Sequence, residues 1–305
     1  MIDQRLPRRV TVVEVGPRDG LQNESSIVPS STKVAFIEAL ANAGLPVVEI
    51  TAFVSPRWVP QMSDAADVAR AVTRREGTRY LALVPNRTGL ARAIEAGLRE
   101  IAIFAAASET FSRKNINQSI DDSLTAYADV AVEAARGGLR VRGYLSTAFG
   151  CPYEGAVAVE RVVEVAERLI EMGCEEVAVS DTIGVAHPRQ VAEVVGAVSA
   201  RVPRERIALH FHDTRGTALA NVYAALQAGI ATFDSSAGGL GGCPYAPGAA
   251  GNLATEDLIY LLDGLGIETG VNLDGVIDAS NLIAAHIGHP LASRYYQAVQ
   301  ATSSS

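Results

Sequence analysis

The sequence predicts an α/β protein folded as a (β/α)8 TIM barrel with an additional C-terminal helical segment. Three observations lead there. Eight short β-branched or apolar runs recur along the chain, a helical pattern follows each, and glycine closes several of the helical patterns. Alternating strands and helices are the sequence form of parallel βαβ units. Eight evenly spaced units favour a closed barrel over a doubly wound open sheet.

The strand runs are "RVTVVEV" (9–15), "VVEITAF" (47–53), "RYLALVP" (79–85) and "EIAIFAA" (100–106), then "LRVRGYLS" (139–146), "EEVAVSD" (175–181), "RIALHFH" (206–212) and "ATFDSSA" (231–237). Between them, stretches such as "TKVAFIEALANAG" (32–44) and "VERVVEVAERLIEMG" (159–173) carry the 3.6-residue apolar spacing of a helix lying on a sheet. Gly44, Gly97, Gly173 and Gly229 each follow the last periodic residue, where a left-handed C-cap is expected. The segment 270–288 reads as one more helix packed on the outside, and the ending "ATSSS" as a frayed tail. The expectation is a single catalytic domain over 1–305, with the barrel at about 9–265 and the helical extension at about 266–300.

Composition bounds the function. The 305 residues are 48% apolar with a net charge of −8, which opposes a non-specific nucleic-acid or anionic-membrane binder. Cys151, Cys174 and Cys243 are few, odd in number and widely spaced, which suits free thiols in a reducing compartment. No run approaches the ~20 apolar residues of a membrane span, and "MIDQRLPRR" is too short and charged for a secretory signal. The expected location is cytoplasmic.

In such a barrel, chemistry sits on the loops that follow the strands, and the polar residues gather there. "GPRDGLQNE" (16–24) follows the first strand, Glu49 lies in the second, "SDTIG" (180–184) ends the sixth and "HFHDTRG" (210–216) ends the seventh. "GGLGGCPYAPGAAGN" (238–252) follows the eighth. His210 and His212, two of five histidines, are one residue apart in a strand, so both side chains take one face. The first, seventh and eighth strands are neighbours in a closed barrel, so Asp19 and Asn252 can converge on the pair. Two imidazoles, a carboxylate and an amide oxygen, with no thiolate, suit Mg2+ or Mn2+ better than a structural zinc.

Arg18, beside Asp19, can stabilise an oxyanion or enolate, or else pair with Glu49 or Asp181. Glu49 is placed to orient a ligand or water. Asp181 and Asp213 read either as site acids or as caps opening the next helix, and Glu256 as a supporting acid or a plain first-turn helix acid. Cys243 lies in the glycine loop, where a thiol can donate or accept a proton. The loop is expected to be mobile at Cys243 and rigid at Asn252, as a lid is. Cys151 and Cys174 read as structural. "SRKNINQS" (112–119) suits either a phosphate or pantetheine arm or a solvated loop.

These stretches carry a resemblance. "VEVGPRDGLQNE", "FVSPRWVPQM", "RKNIN", "GCPYEG", "SDTIGV", "HFHDTRG" and "GGLGGCPYAPGAAGNLATEDLIY" resemble the 3-hydroxy-3-methylglutaryl-CoA lyases, in the same order from about residue 9 to about 275. The resemblance implies cleavage of (S)-3-hydroxy-3-methylglutaryl-CoA to acetyl-CoA and acetoacetate, a step of leucine breakdown and ketone-body formation. It implies that Asp19, His210, His212 and Asn252 bind Mg2+ or Mn2+, and that Arg18 neutralises the enolate. It makes Cys243 the catalytic thiol and lets His210 also move a proton. Glu49, Asp181 and Glu256 become supporting acids, Asn115 approaches the CoA, and a homodimer is the family expectation. Ser180, Arg215 and Ala52 depart from the glycine, tyrosine and serine familiar in animal members, and Arg215 bears on which acid group is recognised. A sibling lyase for citramalyl-CoA or a longer-branched glutaryl-CoA is the nearest alternative. A Claisen-type condensing synthase, which normally carries further domains, is a more distant one.

Overall fold

The computed structural model describes residues 6–242 and 251–303. Eight parallel strands close in chain order into one barrel: β1 (Thr11–Glu14), β2 (Val47–Ala52), β3 (Arg79–Leu83), β4 (Glu100–Ala106), β5 (Arg140–Ser146), β6 (Glu176–Asp181), β7 (Ile207–Phe211) and β8 (Thr232–Ser235). Each coincides with one of the expected runs, β4 residue for residue and the others trimmed by a residue or two at one or both ends. The seam is sealed by β1 against β8, with Thr11 opposite Thr232 and Val13 opposite Asp234.

The outer ring is α1 (Ser30–Asn42), α2 (Ala65–Ala71), α3 (Arg87–Glu95), α4 (Glu109–Ile116), α5 (Ile120–Arg136), α6 (Val159–Glu171), α7 (Pro188–Ser199), α8 (Ala218–Gln227) and α9 (Thr255–Gly264). Burying one apolar stripe of each helix on the strands supplies the main driving force. In α6, for example, Val162, Val165, Ala166 and Leu169 are buried at helical spacing. Glycines 44, 97, 173 and 229 all take positive φ, between 82° and 108°, as expected of C-caps.

Two expectations change. The extension is two helices, α10 (Leu273–Ala284) and α11 (Arg294–Ser303), so the chain near residue 301 is helical rather than frayed. Asp257 of α9 holds the start of α11, its carboxylate accepting from Ser293 Oγ and from the Arg294 and Tyr295 N–H groups. The stretch 112–119 is mostly the end of α4, closed by Asn117 in the left-handed region. Among the described residues no helix is long and apolar enough to cross a membrane. Cys151 and Cys174 are both buried free thiols, and burial pushes Cys174 up to about 12.

Candidate active site

The C-terminal end of β1 does not run straight into a helix. Gly16–Gly20 forms a π-helical turn, in which the Val15 carbonyl accepts from the N–H groups of Arg18, Asp19 and Gly20 at 3.2, 2.7 and 3.1 Å. Pro17 presets φ at the second position of this turn. The wide turn sets Arg18 and Asp19 over the barrel mouth, and π-turns of this kind recur at functional sites. In β2 the register against β3 slips between Glu49 and Thr51, an irregularity of the sort that re-aims a side chain.

These devices bring four of the expected residues together. Asp19, His210 and His212 present ligand atoms all within 4.8 Å of one another. The two imidazole rings lie 5.2 Å apart, centroid to centroid. Asn252 arrives by an isolated bridge to His212, its Nδ2 donating to the Leu240 carbonyl at 3.0 Å. These contacts join the end of the glycine stretch to His212 and Leu240, whereas Cys243 lies outside the described residues. Burial would raise the Asp19 pKa, but Arg18 and the two histidines outweigh it and hold the carboxyl at about 2. Burial, with the charge of His210, pushes His212 down to about 4 and keeps it a neutral donor.

His212 Nδ1 and Asn252 Oδ1 are buried and have no hydrogen-bond partner among the described residues. Orphaned buried polar atoms are costly, and here both belong to residues of one cluster that also holds an ionised carboxylate. A divalent cation bound here would satisfy each of them, so this donor set fits a metal ion of the hard, oxygen- and nitrogen-loving kind.

Arg18 is nine-tenths buried; of its two expected partners it pairs with Glu49, it also pairs with Asp19, and among the described residues it makes no ion pair with Asp181. Its Nη1 donates to Asp19 Oδ1 at 2.7 Å, and its Nε and Nη2 both reach Glu49 Oε2 at 2.7 Å. Tyr144 donates to that same oxygen at 3.0 Å, and the guanidinium lies 5.4 Å from its ring. Burial raises the Glu49 pKa and Arg18 offsets only part of the rise; three donors on one oxygen favour the ionic pair. Gln22 Nε2 adds a further hydrogen bond to Asp19 Oδ1 at 2.8 Å.

Asp181 and Glu256 are engaged by loop backbone and a serine, although Asp181 still feels the charge of His210. Ser180 is the register partner of His210, so Asp181, one residue on, takes the opposite face of β6. Its oxygens accept from the Val185 and Ala186 N–H groups at 2.9 and 3.0 Å, and Asp213 likewise accepts from Ala218 N. Both therefore serve as loop caps. Arg215, from the loop after β7, donates to the Ile183 and Gly184 carbonyls of that same β6 loop. Glu256 accepts from Gly238 N at 2.9 and 3.0 Å and from Ser280 Oγ, anchoring the turn Ala237–Gly239 to α10. Asn115 is exposed on α4, above the same end of the barrel.

Several residues of the site were not expected. Asp234, inside β8, hydrogen-bonds His210 Nδ1 at 3.2 Å and takes two bonds from Arg142 at 2.6 and 3.1 Å. Arg142 also reaches Tyr144 Oη and Glu176. The period-two pattern marks them: Arg142 and Tyr144 in "RVRGYLS" and Asp234 in "ATFDSSA" are polar at inward positions of otherwise apolar strands. Glu14, the last residue of β1, accepts from Gly16 N, Ala237 N and Thr255 Oγ1, joining the first loop to the last.

Glu14 and Glu256 are both fully enclosed, and burial raises each to about 7 from an ordinary 4.5. Between those values the folded protein binds more protons than the unfolded chain. Their contribution is present below pH 4.5 and is lost as pH rises through 7. Denaturant unfolding at pH 5 and pH 8 is expected to show lower stability at pH 8, with Glu256→Gln shrinking the difference. An unchanged difference would show that Glu256 does not titrate in this window.

The HMGL-like family model matches residues 9–283. The chain is 51% identical over 291 residues to hydroxymethylglutaryl-CoA lyase YngG of Bacillus subtilis, covering 95% of this chain and 97% of that one. It is 51% identical over 296 residues to the 3-hydroxy-3-isohexenylglutaryl-CoA/hydroxymethylglutaryl-CoA lyase of Pseudomonas aeruginosa, covering 97% and 99%. The crystal structure of hydroxymethylglutaryl-CoA lyase from Pseudomonas aeruginosa superimposes with a TM-score of 0.96 at 50% identity, covering 98% of this chain and all of that one. With the barrel, the cluster at its mouth and this likeness along nearly its whole length, the chain belongs to the HMGL-like family.

Proposed function

We propose that the protein is a hydroxymethylglutaryl-CoA lyase, cleaving (S)-3-hydroxy-3-methylglutaryl-CoA to acetyl-CoA and acetoacetate in leucine breakdown. The observation that carries the reading is the Asp19–His210–His212 cluster beside Arg18, in a chain half identical to lyases of that name. Asp19, His210, His212 and Asn252 would hold Mg2+ or Mn2+. A divalent cation there supplies Lewis-acid polarisation of the substrate's carbonyl and hydroxyl oxygens.

The chain's own residues do the rest. The tertiary hydroxyl gives its proton to solvent water at the barrel mouth, and that loss lets the C2–C3 bond break. The hydroxyl carbon becomes the ketone of acetoacetate, and the bond's electron pair passes into the thioester as an enolate. Arg18 meets that negative charge with the N–H groups its carboxylate partners leave free. Glu49 and Asp19 hold the guanidinium plane in place, so little reorganisation accompanies the reaction. Cys243 Sγ moves a proton at the enolate carbon, a role resting on the likeness of the glycine–cysteine segment. Asn115 meets the CoA arm, while Asp181 and Glu256 position the loops they cap. A homodimer belongs to the same reading and is checked by sedimentation velocity.

Purified protein with hydroxymethylglutaryl-CoA and Mg2+ is expected to release acetoacetate, and a chelator to stop it. Cys243→Ser is expected to lower kcat by about 10²–10⁴-fold, the usual worth of positioned proton transfer. Negligible cleavage of this thioester would overturn the assignment. The dual name of the Pseudomonas relative favours one second reading, a lyase that also accepts a longer branch, so the isohexenyl thioester belongs in the same assay.

A further inference from the structure

His210 and Asp234 are register partners across β7 and β8, so both side chains share the inner face of the barrel. The Asp234 carboxylate sits 3.2 Å from His210 Nδ1. Its other engagement is with Arg142, whose Nη2 donates to Oδ1 at 2.6 Å and whose Nη1 donates to Oδ2 at 3.1 Å. Arg142 is itself fixed on its far side by Glu176 Oε1 at 2.7 Å. A carboxylate gripped by two guanidinium N–H groups carries no proton to give. The bond to His210 therefore has one direction: Nδ1–H donates and Asp234 accepts. In the neutral ring this leaves Nε2 bare, on the side facing Asp19, whose Oδ2 is 3.9 Å away. His212 has no such support, since its Nδ1 has no partner among the described residues.

We propose that Asp234, clamped by Arg142, is a positioning residue that fixes His210 as the Nδ1–H tautomer and turns its Nε2 lone pair toward the metal site. The role rests on the metal reading given above. Substituting Asp234→Asn inverts the pattern. Arg142 claims the amide carbonyl at the Oδ1 position, which leaves the NH2 group facing His210 Nδ1. That nitrogen must then accept, and the ring proton moves to Nε2, where it blocks coordination. Carboxylates behind metal-binding histidines are typically worth 10–100-fold in metal affinity.

The experiment is 15N NMR of histidine-labelled, metal-free protein in alkaline solution, where the ring is neutral, with signals assigned from single variants of the five histidines. Mn2+ titration of the same samples follows. The expected result is Nδ1–H for His210 in the wild type, Nε2–H in Asp234→Asn, and Mn2+ affinity 10–100-fold weaker in the variant. A wild-type His210 in the Nε2–H form overturns the proposal, and this arm needs no variant to fold. So does a folded Asp234→Asn variant whose Mn2+ affinity stays within two-fold of wild type. A wild type that shows the Nδ1–H form but binds no Mn2+ instead overturns the metal reading and leaves the Asp234–His210 bond standing. The tautomer readout separates this role from a merely structural one, which would lower the melting temperature without inverting the ring.

Discussion

Arg18→Gln is expected to lower kcat by about 10²–10³-fold, the usual loss when one preorganised donor to a developing oxyanion is removed. It is also expected to destabilise the fold by about 3–5 kcal/mol, because it strands the buried Glu49 carboxylate without its cation. Glu49 is fully buried, and its Oε1 already has no partner among the described residues. Only Tyr144 would remain on Oε2. The two losses have different causes and can be pulled apart. In the double variant Arg18→Gln, Glu49→Gln the stranded charge is gone, so the melting temperature should recover most of its fall. The rate should not recover, since no cation meets the enolate. A double variant that regained both would show that Arg18 acts only by holding the barrel mouth together.

That prediction rests on residues of unequal visibility in the sequence. The barrel was legible because each strand–helix unit repeats the same local physics, and apolar spacing switches between two and 3.6 residues eight times. His210 and His212 were legible because a strand's alternation makes one residue of separation mean one shared face. Asp19 and Asn252 needed one further step, the neighbourhood of the first, seventh and eighth strands, which the closed topology supplies. Asp181 reads from the sequence either as a site acid or as a cap, and the same alternation bears on the choice. It stands one residue past the inward position that Ser180 occupies opposite His210, so its carboxylate belongs to the β6 loop. Glu256 reads either as a supporting acid or as a plain first-turn helix acid, and the first turn of α9 aims it at Gly238 and Ser280.

The polar axis of Arg142, Tyr144 and Asp234 stayed hidden for a different reason. Each sits singly in its own strand, and what gives it meaning is a partner far away in the chain, such as Arg142 with Asp234 or Tyr144 with Glu49. Register between distant strands is set by closure of the whole barrel, and no local window contains it. Glu14 has the same character: its acceptors become useful only when the loop after β8 folds back over β1.

Gly251→Ala is expected to be the most damaging substitution in the described part of the glycine stretch. A Cβ there would lie 2.1 Å from the Gly241 carbonyl oxygen, 2.6 Å from its carbon and 2.8 Å from the Gly239 oxygen. All three are backbone atoms, so no side-chain rotation relieves the clash and the two strands of the loop must part. Overpacking of this kind typically costs about 1–3 kcal/mol, occasionally more, and here the strain falls beside a proposed ligand. Asn252 is held by the Leu240 carbonyl, and parting residues 239–241 from 251 removes that hold and the aim of Oδ1. Mn2+ affinity should therefore fall together with stability. Gly242→Ala is the matched control, because a Cβ there meets nothing within 4 Å, and it should leave both quantities near wild type. Equal behaviour of the two variants would mean that the loop adapts freely, and that Asn252 is not anchored by the close approach of its own glycines.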